Sequence, residues 1–234
     1  MTNLAIIPAR GGSKRIPRKN IRPFQGQPII SHVIRTVRAC DVFTEVMVST
    51  EDEEIAGIAR KHGASIPFMR SLETAGDKAT TLDVLREVIA GYQNDGREFD
   101  AVCCIYPTAV LTRPATLRSG WELLKKNPDA ACTLGVVPFE HPAQRALVVR
   151  NGHLQMLQPE HTHTRTQDLE PTFHDAGQWY WLRTAALRDP DFRILGPAAV
   201  PLVLDALEAQ DIDTEQDWAL AEAKFQLLLR GRAR

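Results

Sequence analysis

The sequence lacks both common phosphate-binding signatures. A Walker A loop needs a glycine directly before Lys-Ser/Thr at the start of a helix. Here Ile16 and Pro17 follow the first lysine, and Pro23 and Pro28 bar a helix before position 28. G-x-G-x-x-G is also missing, so neither a P-loop ATPase nor a nicotinamide enzyme is indicated. Cysteine is scarce: four residues, at 40, 103, 104 and 132, with no C-x-x-C spacing. They read as buried small hydrophobes in a reducing compartment, not as a disulfide framework. Net charge is almost absent, since 28 Lys+Arg stand against 29 Asp+Glu. That balance disfavours nucleic acid and anionic membranes as partners. No apolar run approaches a membrane span, and the first is too short for a signal peptide. Internal repeats, low-complexity linkers and a nucleophile-elbow serine are missing too. These absences leave a cytoplasmic enzyme or binding protein. With 234 residues, 44% of them hydrophobic, the chain can bury a substantial core.

The most informative stretch is residues 8–20, PARGGSKRIPRKN. Paired glycines are followed by Lys14, Arg15, Arg18 and Lys19, with Arg10 just before and no acid between. The run LAIIPA ahead of it reads as a buried strand. Glycines let backbone N–H groups approach phosphate oxygens, and the cations neutralise them. A solvated basic turn would carry the same charges. The strand position and the glycine pair favour a polyphosphate site.

Strand and helix patterns alternate through the first 130 residues. LAIIPA, EVMVST, ASIPF, AVCCIY and AACTLGVV read as strands. PIISHVIRTVRAC, EEIAGIARKHG, TLDVLREVIAGY and RPATLRSGWELLKK read as helices, with Pro28 at a first helical position and Thr80 or Thr81 as a cap. Such alternation predicts an α/β fold: an open, mostly parallel, Rossmann-like sheet with helices on both faces. After position 138 the pattern changes. ALVVRNGHLQML holds two β-like runs around Asn151-Gly152, a hairpin signal. Residues 138–176 read as an antiparallel insertion, followed by strands GQWYWLR and AVPLVL and an amphipathic helix from Thr214 onward.

Two further groups of residues carry chemistry. Asp211 and Asp213, in QDIDTEQDW, point the same way if extended. They can hold Mg²⁺, which needs one or two carboxylates beside substrate phosphates. Alternatively, Asp213 or Thr214 caps the last helix, with Asp217 in its first turn. The second group is Arg165, Gln167, Asp168, His174, Asp175 and Gln178, in RTQDLEPTFHDAGQ, joined by Gln144 and Arg145. This dense polar string suits a polyhydroxylated acid, whose carboxylate Arg165 can grip bidentately. His161 and His163 lack a third ligand at zinc spacing and read as loop residues.

The string IIPARGGSKRIPRKNI resembles the signature of the CMP-sialate synthetase family of sugar nucleotidyltransferases, most of all its branch acting on pseudaminic acid. VSTEDEEIA, CCIYPTA, QDLEPTFHDAGQWYW and QDIDTEQDW extend the resemblance along nearly the whole chain. It implies a single nucleotidyltransferase domain over residues 1–234, in which the 138–176 insertion builds a dimer interface and part of the sugar site. It places Arg10, Gly11, Gly12, Ser13, Lys14, Lys19 and Asn20 on the nucleotide, and Arg70, Ala79 and Thr80 at the cytosine edge. It puts Mg²⁺ on Asp211 and Asp213. Two departures bear on the sugar, and a third does not. Sialate synthetases read QPTSPLR where this chain reads YPTAVLT, so Tyr106 replaces glutamine and Ala109 and Val110 replace serine and proline. They read NGA where this chain has Asp175, Ala176 and Gly177. Changed polarity at sugar-facing positions should reject sialic acid. The third, Arg70-Ser71 for Arg-Pro, alters no chemistry.

The reaction so implied joins CTP and a nonulosonic acid, pseudaminic acid, into a CMP-sugar and pyrophosphate, in a homodimer. Lys19, Arg10, Lys14 and Asp211 would carry catalysis by positioning and charge neutralisation. Rivals are a relative using sialic, legionaminic or another keto-deoxy acid, and a non-catalytic nucleotide-binding regulator.

Overall fold

Alternating apolar residues in short strands build a sheet with a core on each face. The structure, a computed structural model, describes residues 1–231. Its strands are β1 (Asn3–Pro8), β2 (Pro23–Phe24), β3 (Gln27–Pro28), β4 (Glu45–Ser49), β5 (Ala101–Ile105), β6 (Cys132–Pro138), β7 (Leu147–Arg150), β8 (His153–Met156), β9 (Phe173–Arg183) and β10 (Ala199–Val203). The helices are α1 (Ile29–Arg38), α2 (Glu53–Lys61), α3 (Leu72–Ala75), α4 (Thr81–Asn94), α5 (Pro114–Lys126) and α6 (Glu215–Gly231). The last three positions of the helix expected from Thr214 onward lie outside the described residues. Among those described, no helix is long and apolar enough to cross a membrane.

Six strands form the main sheet in the order β10-β6-β9-β5-β1-β4. β1 runs parallel to β4 and β5, and β10 parallel to β6. Only β9 runs against its neighbours. Ala5 and Ile7 of β1 enter the core with α1, α2, α5 and α6, while Leu4 and Ile6 enter the core with α4. The same alternation sends Cys103 to one face and Cys104 to the other, so the adjacent pair is packing material. All four cysteines are free and buried. Trp179 and Trp181 likewise oppose Tyr180.

Chain order crosses β1: from β4 on one side the chain passes to β5 on the other. In open α/β sheets, ligands bind in the crevice that such a reversal opens at the carboxyl ends of the strands. The loops after β1 and β5 meet there. Because β9 is antiparallel, its first residues reach the same end.

Three local expectations are corrected. ASIPF is not a strand; Ser65 makes one isolated bridge to Met47, and Pro67 has no N–H to extend the pairing. Pro28 is not the first helical residue but precedes α1 in an extended conformation (φ −51°, ψ 130°). The insertion rejoins the sheet earlier than expected, since Phe173, His174 and Asp175 already pair with β6. Within it, β7 and β8 form a separate hairpin turning at Asn151-Gly152, both at positive φ. Its Leu147, Val149 and Leu154 face solvent.

Candidate active site

Two lobes of one cleft lie at the carboxyl ends of the strands. The first, about 380 Å³, is lined by the loop after β1 and by Tyr106, Pro107 and Thr108 after β5. The second, about 610 Å³, is lined by Phe139, Glu140, His174, Asp175, Gln210 and Lys224, among others. Asp211 and Asp213 line both.

The first lobe is built on a braced loop. Asn20, buried, donates its Nδ2 to the Arg10 carbonyl at 2.9 Å. Gly11 donates its N–H to Glu51 Oε1 at 2.7 Å. A Cβ on Gly11 would lie 2.5 Å from Asp52 Oδ2, which explains glycine there. Gly12 faces open space. The cations find acids remote in sequence. Arg10 donates to Asp77 at 2.8 Å, and Lys14 pairs with the same carboxylate. Those two cations hold the Asp77 carboxyl below the usual aspartate range. Arg18 is turned away from the cleft onto Asp52 and Glu54 at the start of α2. Lys19 reaches the Ile212 carbonyl and Asp213 Oδ1, the latter at 3.2 Å, and Arg15 meets the same oxygen at 2.7 Å.

Asp211 and Asp213 flank Ile212, which is fully buried on the opposite side of the strand-like segment. Of the expected alternatives for this segment, the helix cap is formed by Thr214 with Asp217, and not by Asp213. Thr214 and Asp217 cap α6 reciprocally: Asp217 N–H donates to Thr214 Oγ1 at 3.2 Å, and Thr214 N–H to Asp217 Oδ2 at 2.8 Å. That leaves Asp211 and Asp213 to the cleft. They are not equivalent. Asp213 is held by two cations, whereas among the described residues no side chain pairs with Asp211. Desolvation, and then Asp213, push the Asp211 carboxyl above the usual aspartate range. Two neighbouring hard oxygen donors, of which Asp211 has no pairing side chain, fit a divalent cation, which would favour the charged form of both.

The bulge in β9 shapes the junction. Pairing with β6 jumps from Leu134/Tyr180 to Val136/Asp175, looping out the residues between. Gly177 sits at φ +61°, and a Cβ on it would come within 3.5 Å of Asp211 Cγ. Asp175 braces this bulge with both oxygens, accepting from Tyr180 Oη at 2.6 Å and Gly177 N–H at 2.9 Å. Tyr106 lies edge-on to Tyr180, and its hydroxyl is 2.8 Å from Thr81 Oγ1.

The remaining expected residues disperse. Arg70 is buried, donating its Nε to Ser49 Oγ at 2.9 Å. Thr80 caps α4 in a reciprocal box with Asp83, with Ala79 just before it. None of these three lines the first lobe. Gln178 is buried and donates to the Glu208 carbonyl at 2.9 Å. Gln144 donates to the Glu170 carbonyl at 2.8 Å, and Arg145 contacts Thr166. Arg165 pairs with Asp168 three residues on, next to Gln167, on an exposed turn. None of Gln144, Arg145, Arg165, Gln167, Asp168 or Gln178 lines either lobe, whereas His174 and Asp175 line the second. Sequence reasoning missed Phe139, Glu140 and Gln210 in that lobe. It also missed Lys224, whose Nζ donates to the Ala206 and Ala209 carbonyls at 2.9 and 2.8 Å. Phe139 could have been found as the residue just past a strand end. Lys224 carries no signal beyond its place in an amphipathic helix.

Comparison with known proteins follows from this geometry. Residues 4–184 match the family model described as Cytidylyltransferase. The chain is 39% identical over 228 residues to a pseudaminic acid cytidylyltransferase of Campylobacter jejuni, covering 97% of each protein. It is 32% identical over 234 residues to the CMP-N,N'-diacetyllegionaminic acid synthase of Legionella pneumophila, again covering 97% of each. A solved CMP:2-keto-3-deoxy-manno-octonic acid synthetase complexed with CTP shares the fold, with a TM-score of 0.69 at 17% identity, covering 98% of this chain and all of that one.

Proposed function

From the premise that the chain belongs to the cytidylyltransferase family, we propose that it couples CTP to pseudaminic acid, giving the CMP-sugar and pyrophosphate. The observation that carries this reading is the cleft of two lobes, cationic and acidic, that share Asp211 and Asp213. The triphosphate occupies the lobe of Arg10, Lys14, Arg15 and Lys19, with its α-phosphorus at the junction. The acceptor occupies the other, so its anomeric hydroxyl attacks that phosphorus in line. Lys14 and Arg10 leave Asp77 for the outer phosphates. Lys19, anchored on Ile212 and Asp213, neutralises charge as pyrophosphate departs. Arg70, Ala79 and Thr80 would take the cytosine edge. Asp211 and Asp213 would hold Mg²⁺, which supplies charge neutralisation on the phosphates and lowers the basicity of the attacking hydroxyl.

The acceptor lobe supports the choice of sugar. Phe139, Val137, Pro138, Ala176, Ala206 and Ala209 give it apolar walls. Pseudaminic acid carries a second acylamino group and lacks the terminal hydroxyl of N-acetylneuraminic acid, so it presents more apolar surface. Buried polar groups without partners cost about 1–3 kcal/mol each, enough for large discrimination. The higher identity to the pseudaminic than to the legionaminic enzyme points the same way.

The test is pyrophosphate release from CTP and Mg²⁺ with a panel of nonulosonic acids. The expected order is pseudaminic acid first, with a higher kcat/KM than N-acetylneuraminic acid at saturating CTP. Turnover of none of them would remove the reading. Preference for N-acetylneuraminic acid would move the chain to the sialate branch.

The hairpin of β7 and β8 supports a homodimer. A two-stranded ribbon is marginal alone, and Leu147, Val149 and Leu154 lie uncovered. Light scattering at micromolar concentration should report a dimer, and a fully active monomer would refute it. A cytoplasmic location fits the four free thiols and a CTP substrate.

A further inference from the structure

We infer that Lys224 is the cation that takes the acceptor's carboxylate. The inference rests on the reading above that the acceptor is a 2-keto sugar acid. In such an acid the carboxylate hangs on the same carbon as the attacking hydroxyl. It therefore arrives at the junction of the lobes, beside Asp211 and Asp213. The acceptor lobe is hostile to an anion, since Glu140, Asp175, Asp211, Asp213 and Asp217 all line it. A carboxylate entering unpaired would lose hydration and meet like charge.

Among the described residues, Lys224 of α6 is the one lysine or arginine that lines the lobe. Two of the three ammonium N–H groups donate to the Ala206 and Ala209 carbonyls at 2.9 and 2.8 Å. These bonds fix the position of the charge and leave one donor over. Among the described residues, Lys224 forms no ion pair; burial draws its ammonium below the usual lysine range, against the opposing pull of Glu140 and Asp205 nearby. Arg15 and Lys19 are engaged by Asp213, and Arg165 by Asp168 outside the lobe. A half-buried ammonium on a helix, held by backbone and lacking a counter-ion, is a preorganised receptor for a carboxylate.

The test compares Lys224→Gln and Lys224→Arg, each assayed with pseudaminic acid and with its C1 carboxamide. Glutamine keeps a donor for the 206–209 carbonyls but removes the charge, and arginine restores the charge. The wild type should prefer the acid to the carboxamide in kcat/KM. Lys224→Gln should raise KM for the acid on the order of 10- to 100-fold, leave KM for CTP unchanged, and hardly affect the carboxamide. Lys224→Arg should recover most of the preference for the acid. Equal losses on acid and carboxamide, or a raised KM for CTP, would make Lys224 a brace for residues 206–209 and overturn the inference. So would an unchanged acid KM in Lys224→Gln. In those outcomes wild-type turnover stands, and with it the reading of function. A wild type that turns over no nonulosonic acid fails before any variant is made, and takes the inference with it.

Discussion

The two lobes of the cleft meet at the same pair of aspartates but are built in opposite ways. The phosphate lobe draws its cations from one contiguous stretch, residues 10–19, folded back on a strand end. The acceptor lobe is assembled from segments near 137–140, 174–176, 206–217 and 224. In the first, each of the four cations already has a carboxylate partner from elsewhere in the chain. In the second, acids crowd around a single lysine. On the proposed reading, a triphosphate would enter by exchanging partners with Asp77, whereas a sugar acid would enter as the counter-ion of Lys224. Local sequence can encode the first arrangement; the second requires the finished sheet.

The junction offers the largest effect that can break this comparison. Asp211→Asn should reduce kcat on the order of 10³-fold, because a bound cation contributes several kcal/mol of charge stabilisation. KM for CTP should change less, since Asp211 pairs with no lysine or arginine of the phosphate lobe. Asp213→Asn should instead raise KM for CTP as well, by releasing Arg15 and Lys19. Mg²⁺ titrations of both variants decide the matter: if both keep the wild-type curve, the segment serves only to lead into α6. Steady-state kinetics that cannot tell the two apart would erase their inequality.

Lys19→Ala comes next. Loss of a charge-assisted transition-state contact is worth about 2–4 kcal/mol, or roughly 30- to 1,000-fold in rate. Lys19 is not the freely exposed residue that its loop suggests; its side chain is 19% exposed and ties the loop to Ile212 and Asp213. The variant should therefore also raise KM for CTP. Near-wild-type turnover with unchanged melting would remove Lys19 from the site.

The smallest effect tests the exchange of partners. Asp77→Ala should tighten pyrophosphate binding about two- to five-fold, in keeping with the modest strength of solvent-exposed ion pairs. The gain should vanish at high salt. Weaker binding by calorimetry would mean that Asp77 orients Arg10 and Lys14 instead of competing for them.

Much of the scaffold is legible from the residues alone. Continuous apolar runs mark β1 and β5, Thr80 or Thr81 announces α4, and Asn151-Gly152 announces the hairpin. The polar string at 165–178 is legible as polar, but of its expected site residues only His174 and Asp175 line the cleft. Arg165 and Asp168 satisfy each other three residues apart, and Gln178 turns inward to hold Glu208. Nothing in local composition distinguishes a side chain that faces a ligand from one that finds a partner in its own turn.

By itself, then, the sequence determined most of the main-sheet strands, the long helices and the basic loop after β1, because those depend on period, punctuation and charge within a few residues of one another. The tertiary structure alone decided which acid meets which cation, and that Asp211 would stand without a partner. It also turned Asp175 from a sugar contact into the brace of a bulge, and brought Lys224 from the last helix into the acceptor lobe. Those outcomes follow from strand order and from the register break between β6 and β9, which bring together residues far apart in the chain. Contacts at such separation are selected by packing of the whole sheet, and no short window of sequence carries that information.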